Sequence, residues 1–247
     1  MRELDLLIDA ARDAGEIAKR FFNSDPKTWY KDGGAGPVTE ADLAVNDMLV
    51  ARLKTARPDY GWLSEESEDN TERLAKDRVF VVDPIDGTRA FIDGARAWSH
   101  SIAIVEHGIP TSAVVYLPVM DKLYTASIEN GAYLNGERLC VSAKPELQDA
   151  TVLANKNNFD PRRWKAPPPV KQQFRSSLAY RICLVAEGRF DAMLTLRPTW
   201  EWDIAAGLLI LQEAGGLALD RIGARPVLNN PTPQIDGLLA ANPTLVR

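Results

Sequence analysis

Two aspartates follow a short apolar run in the segment Val79–Thr88, which reads VFVVDPIDGT. Four consecutive apolar residues favour a buried strand, and Pro84, which lacks an amide hydrogen, predicts that regular strand pairing stops there. Asp83 and Asp86 would then lie together at a strand end, where carboxylates can hold a hard divalent cation. The backbone amides after Gly87 could bind an anion such as phosphate. A solvated acidic turn explains the same residues about equally well.

Two further acidic side chains lie at the ends of apolar segments. Glu65 follows a short strand predicted at Trp62 and Leu63, and Asp203 precedes an apolar helix predicted over residues 204–214. Each has an ordinary explanation, because paired glutamates are usually surface residues and an aspartate at a helix start usually caps it. Together with the two aspartates above, they would form an all-oxygen site, which suits Mg²⁺ better than Zn²⁺.

The composition is that of an ordinary globular protein. Of 247 residues, 45% are hydrophobic and 26% are charged, which fits one large domain or two closely packed halves. The net charge of −5 argues against a dedicated nucleic-acid-binding protein, which usually carries a basic patch. The same acidic balance fits a protein that gathers carboxylates around cations.

Other kinds of site find little support in the sequence. The two histidines, His100 and His107, do not lie in the context of a Ser-His-Asp triad or a histidine zinc site. The two cysteines, Cys140 and Cys183, form no C-x-x-C pair. No apolar run approaches the ~18 residues of a membrane helix, and the acidic N-terminus is unlike a signal peptide. We therefore expect a cytoplasmic protein that contacts no membrane.

The first half of the chain is predicted to contain helices and a strand meander. Apolar residues recur at helical spacing over residues 2–23 and again over residues 39–57, where Thr39 is a candidate N-cap. The glycine-rich residues 27–38 between these helices are predicted to form a loop. Alternating patterns over residues 99–126 predict an antiparallel meander.

The second half alternates strands and helices. Helices are predicted over residues 177–187 and 204–214, each followed by glycine, with strands before and after them. The pattern predicts an α/β fold of layered helices and sheets with a cleft between two subdomains. We expect an N-terminal α+β subdomain over residues 1–130, which carries most candidate ligands, and a C-terminal α/β subdomain over residues 131–247.

Four segments resemble signatures of the inositol monophosphatase superfamily. Residues 83–88 match D-P-[IL]-D-[GS]-T, and residues 202–207 resemble W-D-x-A-A-G. Residues 64–67 resemble G-E-E-S, with serine for glycine, and residues 38–42 resemble V-T-x-x-D. The four occur in the family's order, and the resemblance covers essentially the whole chain. It implies a layered αβαβα sandwich and a Mg²⁺-dependent, Li⁺-sensitive phosphomonoesterase that uses metal-activated water.

The resemblance also implies roles for individual residues. The implied ligands of two Mg²⁺ ions are Glu65, Asp83, the Ile85 carbonyl, Asp86 and Asp203. A third, weaker ion would be held by Glu65 and water. The implied catalytic residues are Asp42, Glu65 and Thr88. Of these, Asp42 and Thr88 would orient the attacking water, although Asp42 is also an ordinary helix-capping residue. Lys31 resembles a lysine of a mobile loop near the substrate.

The substrate-binding residues suggested by the resemblance are Gly87, Thr88, Ser177 and Arg197. The residues 176–178 resemble the G-S-S-L segment of one branch of the family, except that Arg175 replaces its glycine. A second phosphate could bind Arg175, Arg181 or Arg197. Ordinary surface arginines would explain these three residues equally well.

The identity of the phosphate ester depends on a few positions. Inositol-specific members carry a glutamate seven residues before the W-D aspartate, whereas this chain has Leu196 there. Residues 197–203 look more like the G-P-T-x-x-W-D segment of the 3′(2′),5′-bisphosphate nucleotidase branch, often called CysQ, and Arg89 fits a basic residue of that branch. The lead prediction is hydrolysis of the 3′-phosphate of adenosine 3′,5′-bisphosphate. The alternative is inositol-1-phosphate or another sugar phosphate.

A function of another class is also implied by the resemblance. Some members of the superfamily act as regulatory partners of the RNA or transcription machinery. The acidic net charge argues against direct nucleic-acid binding, and the complete set of candidate ligands argues against an inactive enzyme. A homodimer is implied by the habit of the family alone.

Overall fold

The structure is a computed structural model that describes residues 2–31 and 36–246. The α-helices in this part of the chain are Glu3–Phe21 (α1), Glu40–Ala56 (α2), Thr88–Ile92 (α3), Leu178–Ala186 (α4) and Glu201–Glu213 (α5). Short 3₁₀ helices lie at Thr71–Ala75, Lys156–Phe159 and Pro161–Arg163. The helices predicted over residues 2–23, 39–57 and 177–187 are thereby confirmed to within a few residues.

The segment predicted to be a loop over residues 27–38 forms an antiparallel pair of strands instead. The strands are Thr28–Lys31 (β1) and Gly36–Thr39 (β2). The prediction was wrong because the glycines outweighed Trp29 and Tyr30, whose aromatic side chains favour strands. Residues 32–35, which join the two strands in sequence, lie outside the described residues.

The larger sheet contains seven strands in the spatial order β3-β4-β5-β6-β7-β8-β9. Its strands are Gly61–Ser64 (β3), Arg78–Asp86 (β4), Ser99–Glu106 (β5), Ile109–Leu117 (β6), Lys122–Ser127 (β7), Ala132–Leu134 (β8) and Glu137–Arg138 (β9). The pair β3–β4 is parallel and the other pairs are antiparallel, so the predicted meander is confirmed. The sheet continues past residue 130, the expected subdomain division, because β8 pairs with β7.

The smaller sheet contains five strands in the order β11-β10-β12-β14-β13. Its strands are Thr151–Ala154 (β10), Lys171–Gln173 (β11), Ala192–Trp200 (β12), Leu217–Leu219 (β13) and Gln234–Ala241 (β14). β12 leads directly into α5, which begins at Glu201 and not at Ile204 as the sequence suggested. The early start places Asp203 inside the first turn of the helix.

The core consists of layers on both faces of the larger sheet. Side chains of β4 alternate, so that Phe80 and Val82 pack in one cluster with α1 and α2, while Val79 and Val81 pack in another with α4 and α5. The second cluster also includes Met193 and other residues of the smaller sheet. Helices α4 and α5 therefore lie between the two sheets, which is the expected layered sandwich.

Across residues 2–31 and 36–246, no helix has both the length and the apolar character needed to cross a membrane.

Candidate functional site

Three carboxylates converge where β3, β4 and α5 meet. One oxygen each from Glu65, Asp83 and Asp203 lies within 4.8 Å of the others. Glu65 follows β3, and its amide donates to the Val82 carbonyl at 3.2 Å, because the parallel pairing of β3 and β4 brings their carboxyl ends together. Asp203 reaches the same point from the first turn of α5. We call Glu65, Asp83 and Asp203 the carboxylate cluster.

The electrostatics of the carboxylate cluster favour a bound cation. The Asp83 side chain is 1% exposed, and its Oδ1 atom is buried without a hydrogen-bond partner among the described residues. Burial raises the pKa of Asp83 well above its usual value, and the negative charge of Glu65 raises it further. Loss of hydration likewise raises the pKa of Asp203, with Asp86 and Glu65 adding to the effect. Oxygen ligands of this kind fit Mg²⁺.

Asp86 lies beside the cluster and holds the start of α4. Its Oδ2 accepts hydrogen bonds from the Ser177 hydroxyl at 2.5 Å and the Ala179 amide at 2.7 Å, and its Oδ1 accepts from the Leu178 amide at 3.1 Å. Burial raises the pKa of Asp86, and the hydrogen bond from Ser177 opposes that rise. A carboxylate has about four acceptor positions, so Asp86 retains capacity for a cation.

Asp42 and Thr88 form a buried pair next to the cluster. The Thr88 hydroxyl lies 3.2 Å from Asp42 Oδ1 and 3.2 Å from the Ile85 carbonyl oxygen. Asp42 is fixed by a capping box, in which its Oδ2 accepts from the Thr39 amide at 2.8 Å and the Thr39 hydroxyl at 2.5 Å. Burial raises the pKa of Asp42 to about 6.

The turn between Asp83 and Thr88 is held by a glycine in the left-handed region and by a hydrogen bond to β5. Gly87 has a φ of 103°, and a Cβ there would lie 3.4 Å from the Ala97 carbonyl oxygen. The Pro84 carbonyl accepts from His100 Nδ1 at 2.5 Å, which fixes the turn against β5. The first-turn amides of α3, beginning at Thr88, have no acceptors within their own helix.

Lys31 extends from β1 to the cluster. Its Nζ donates to Glu65 Oε1 at 2.8 Å and to Glu66 Oε1 at 2.7 Å. Burial and the charge of Glu65 raise the pKa of Glu66 to about 7, while Lys31 opposes the rise. The sequence placed Lys31 near the substrate, but it gave no sign of this double ion pair.

Two arginines, one on α4 and one on β12, contribute positive charge to the cluster. Arg181 is 7% exposed, and its Nε and Nη2 atoms donate to the Ser177 and Ser176 carbonyls at 3.3 and 3.2 Å. Its charge and that of exposed Arg197 both lower the pKa of Asp203, so both guanidinium groups act on the cluster. Within residues 2–31 and 36–246, neither arginine has a carboxylate partner at salt-bridge distance.

The other expected substrate residues are placed differently. The Ser177 hydroxyl is fully buried and is held by Asp86, Ser99 and the Tyr180 amide. The Arg175 guanidinium lies over the Phe190 ring at 5.6 Å and donates to the Phe174 carbonyl, so it is engaged within the protein. Ser177 therefore orients Asp86 and α4, and its hydroxyl is engaged within the protein.

Known proteins resemble this chain in sequence and in fold. The sequence model of the inositol monophosphatase family matches residues 2–245. This chain belongs to the inositol monophosphatase family. The family is one of phosphatases that hydrolyse phosphate monoesters, so the chain is an enzyme of that class.

Relatives in the inositol monophosphatase family agree in sequence and in fold. An inositol-1-monophosphatase of Mesorhizobium japonicum is 34% identical over 92% of this chain and 88% of its own. The IMPase of Thermotoga maritima superposes with a TM-score of 0.84 at 30% identity, over 99% of this chain and 93% of that one. CysQ from Bacteroides thetaiotaomicron superposes with a TM-score of 0.80 at 27% identity, over 97% of this chain and 96% of that one. A further relative, from Xylella fastidiosa, is named Nus factor SuhB.

Some residues that support the site gave no signal in the sequence. Ser101 donates to the Trp202 carbonyl at 3.0 Å, which ties β5 to the start of α5. His100 and Glu201 are both fully buried next to the turn and the helix that carry candidate ligands. A serine within a strand or a glutamate before an apolar helix is commonplace, so their positions follow from the fold alone.

Proposed function

We propose that this enzyme is a Mg²⁺-dependent, Li⁺-sensitive phosphomonoesterase whose metal ligands are Glu65, Asp83, the Ile85 carbonyl, Asp86 and Asp203. The observation that carries the proposal is the carboxylate cluster, in which the buried Asp83 Oδ1 has no hydrogen-bond partner within residues 2–31 and 36–246. Two Mg²⁺ ions, with a third, weaker ion, would neutralise phosphate oxygens and lower the pKa of a water molecule.

The protein's own groups orient the reaction. Thr88, when it donates its hydroxyl proton to Asp42, presents its oxygen as an acceptor for a proton of the attacking water. Asp42 is held in place by Thr39, so the acceptor direction is fixed before substrate binds. The amides after Gly87 would bind the phosphate, as the free amides of a helix start do. Glu65, whose charge also raises the pKa of Asp42, would complete the site.

For the substrate, we propose adenosine 3′,5′-bisphosphate, hydrolysed at its 3′-phosphate. Leu196, half-buried in a bulge of β12, offers no carboxylate to the hydroxyl groups of an inositol ring. Arg197 is exposed, has no carboxylate partner among the described residues and supplies positive charge to the cluster. Arg181 adds positive charge from α4, but its guanidinium lies over the Phe174 ring and donates to two backbone carbonyls, so Arg197 is the candidate for direct contact with a second phosphate. Guanidinium groups bind phosphate in a bidentate manner, so a second phosphate on the substrate fits this arrangement.

The experiment is a comparison of kcat/KM for adenosine 3′,5′-bisphosphate and inositol-1-phosphate, with Mg²⁺ and with or without Li⁺. The proposal expects Li⁺-sensitive turnover and a preference for the nucleotide. A preference for inositol-1-phosphate would reject the nucleotide and retain the metal centre. The names of several relatives favour that second candidate.

A regulatory role is a third candidate, favoured by relatives named Nus factor SuhB. An Asp203→Asn variant separates this role from catalysis, because it removes a candidate ligand on the first turn of α5. Full biological activity of a variant without phosphatase activity would support a binding role. Loss of both would support the enzymatic role.

A further inference from the structure

A chain of hydrogen-bonded polar side chains, which includes the buried Arg73 and Glu201, connects the segment after Glu65 with the start of α5. We call it the polar relay, and its members are Asp69, Arg73, Asn229, Asn230 and Glu201. Arg73 is 2% exposed, and its Nε and Nη2 atoms donate to the two Asp69 oxygens at 2.7 and 2.9 Å. From its other side, Nη1 donates to Asn229 Oδ1 at 2.6 Å and Nη2 donates to the Asn230 carbonyl at 2.9 Å.

Glu201 completes the polar relay. Its side chain is fully buried, and its Oε2 accepts from the Asn229 amide at 2.6 Å. Its Oε1 accepts from the Asn230 amide at 3.0 Å and from Asn230 Nδ2 at 2.7 Å. Truncating this buried carboxylate would remove the acceptor of three hydrogen bonds, which is costly in a buried position. Glu201 is the first residue of α5, and Asp203 lies in the same turn.

The polar relay spans the two parts of the chain that build the carboxylate cluster. Glu65 and Asp83 come from adjacent strands of the larger sheet, whereas Asp203 comes from α5. The distance from Asp203 to the other two therefore depends on where α5 begins. At the other end, a Cβ on Gly61 would lie 3.0 Å from Arg73 Cβ, so β3, which leads into Glu65, packs directly against the relay.

We propose that the polar relay is a positioning device that sets the separation of Asp203 from Glu65 and thereby the affinity of the cluster for Mg²⁺. This inference rests on the proposed function, because it concerns the same site. Groups that orient metal ligands from behind typically contribute 10–100-fold to metal affinity. Arg73 and Glu201 are buried and their polar atoms bond within the relay, so they are positioning residues and not catalytic ones.

The test is a calorimetric titration of the protein with Mg²⁺ alone. Glu201→Gln should weaken Mg²⁺ binding about tenfold, because an amide nitrogen replaces one of the acceptor oxygens. The matched control is Glu187→Gln, which removes a partly buried carboxylate that accepts from Lys122 Nζ at 2.6 Å and the Tyr124 hydroxyl at 2.9 Å. This control should lose stability but keep the Mg²⁺ affinity of the wild type.

Asn230→Ala is a milder second variant, which removes the side-chain donor to Glu201 and to the Val227 carbonyl and should also weaken Mg²⁺ binding. At saturating Mg²⁺ the KM for the phosphate ester should return to the wild-type value in both relay variants. Equal Mg²⁺ affinity in wild type, Glu201→Gln and Asn230→Ala would overturn the inference and leave the proposed function intact. Absence of Mg²⁺ binding in the wild type would reject the proposed function itself.

Discussion

The Thr88 hydroxyl lies 3.2 Å from the Asp42 carboxylate, although 46 residues separate the two in sequence. This contact joins the start of α2 to the turn after β4, and it sits beside the carboxylate cluster. It requires Asp42 to satisfy two roles at once, since its other oxygen caps α2 through Thr39. Asp42 can therefore cap α2 with one carboxylate oxygen and take part in the proposed orientation of water with the other.

Replacing Thr88 tests the hydroxyl in this pair. Thr88→Val keeps the shape and removes the hydroxyl, so kcat should fall about 10²–10³-fold while KM changes little. Thr88→Ser keeps the hydroxyl and should retain most of the activity. Steady-state kinetics on one phosphate ester measures both variants. A Thr88→Val enzyme with wild-type kcat would show that the hydroxyl takes no part in orienting water.

The raised pKa values predict how pH affects the stability of the metal-free protein. The pKa of Asp42 is about 6 and the pKa of Glu66 is about 7 in the folded protein, and the pKa of Asp83 is also raised. These carboxyl groups therefore hold protons in the folded state that they release on unfolding. Stability from these groups is therefore lost as pH rises from the unfolded carboxyl pKa of ~4 through the folded values. The increase in Tm on adding Mg²⁺ should grow between about pH 5 and about pH 8.

Thermal unfolding in chelator and in Mg²⁺ measures this increment across the range. Asp83→Asn is the comparison, since it removes the most deeply buried charge of the cluster and should raise the Tm of the metal-free protein at high pH. An increment that is constant or shrinks with pH would contradict the assignment of the cluster as a cation site.

Arg197 tests the proposal of a second phosphate. Arg197→Gln should lower kcat/KM for adenosine 3′,5′-bisphosphate about 10–100-fold, the loss of one charged hydrogen bond, and affect adenosine 3′-monophosphate little. Arg175→Gln is the control, because Arg175 is engaged by Phe190 and a backbone carbonyl. Equal losses on both substrates would show that Arg197 does not recognise the second phosphate.

Gly207 tests the packing that supports Asp203. A Cβ on Gly207 would lie 3.0 Å from Ile182 Cβ and Cδ1, where α4 and α5 are in close contact. Gly207→Ala should reduce the free energy of unfolding by about 1–3 kcal/mol through overpacking. Ile182→Val removes the Cδ1 atom and should restore part of this loss in the double variant. Chemical denaturation measures both, and an unchanged stability in Gly207→Ala would contradict the close packing.

Much of the fold followed from local patterns in the sequence. The strand from Val79 was predictable from its four consecutive apolar residues, and its alternate side chains do pack on two helical layers. Pro84 does not end the strand as expected, because β4 continues to Asp86 across a register shift after Asp83. The start of α2 was predictable from Thr39 and Asp42, which form the expected cap. The hairpin at Thr28–Lys31 was missed because glycines signal a turn without showing whether strands flank it.

The site was predictable in its ligand types but not in its supporting contacts. Acidic residues at the ends of apolar elements indicated the cluster of Glu65, Asp83 and Asp203. The contacts of Ser177 with Asp86 and of Glu201 with Asn230 join residues far apart in sequence. Such pairings depend on how the two sheets pack on α4 and α5, and no local pattern encodes that arrangement.

The most direct test of the central claim is Mg²⁺-dependent phosphate release by the wild type and by Asp83→Asn. The wild type should release phosphate from adenosine 3′,5′-bisphosphate with saturable dependence on Mg²⁺, and chelation should abolish the activity. Asp83→Asn should lower turnover by several orders of magnitude, because the buried Asp83 carboxylate would be shared by the proposed ions. Turnover that survives chelation, or an unchanged rate in Asp83→Asn, would contradict the account.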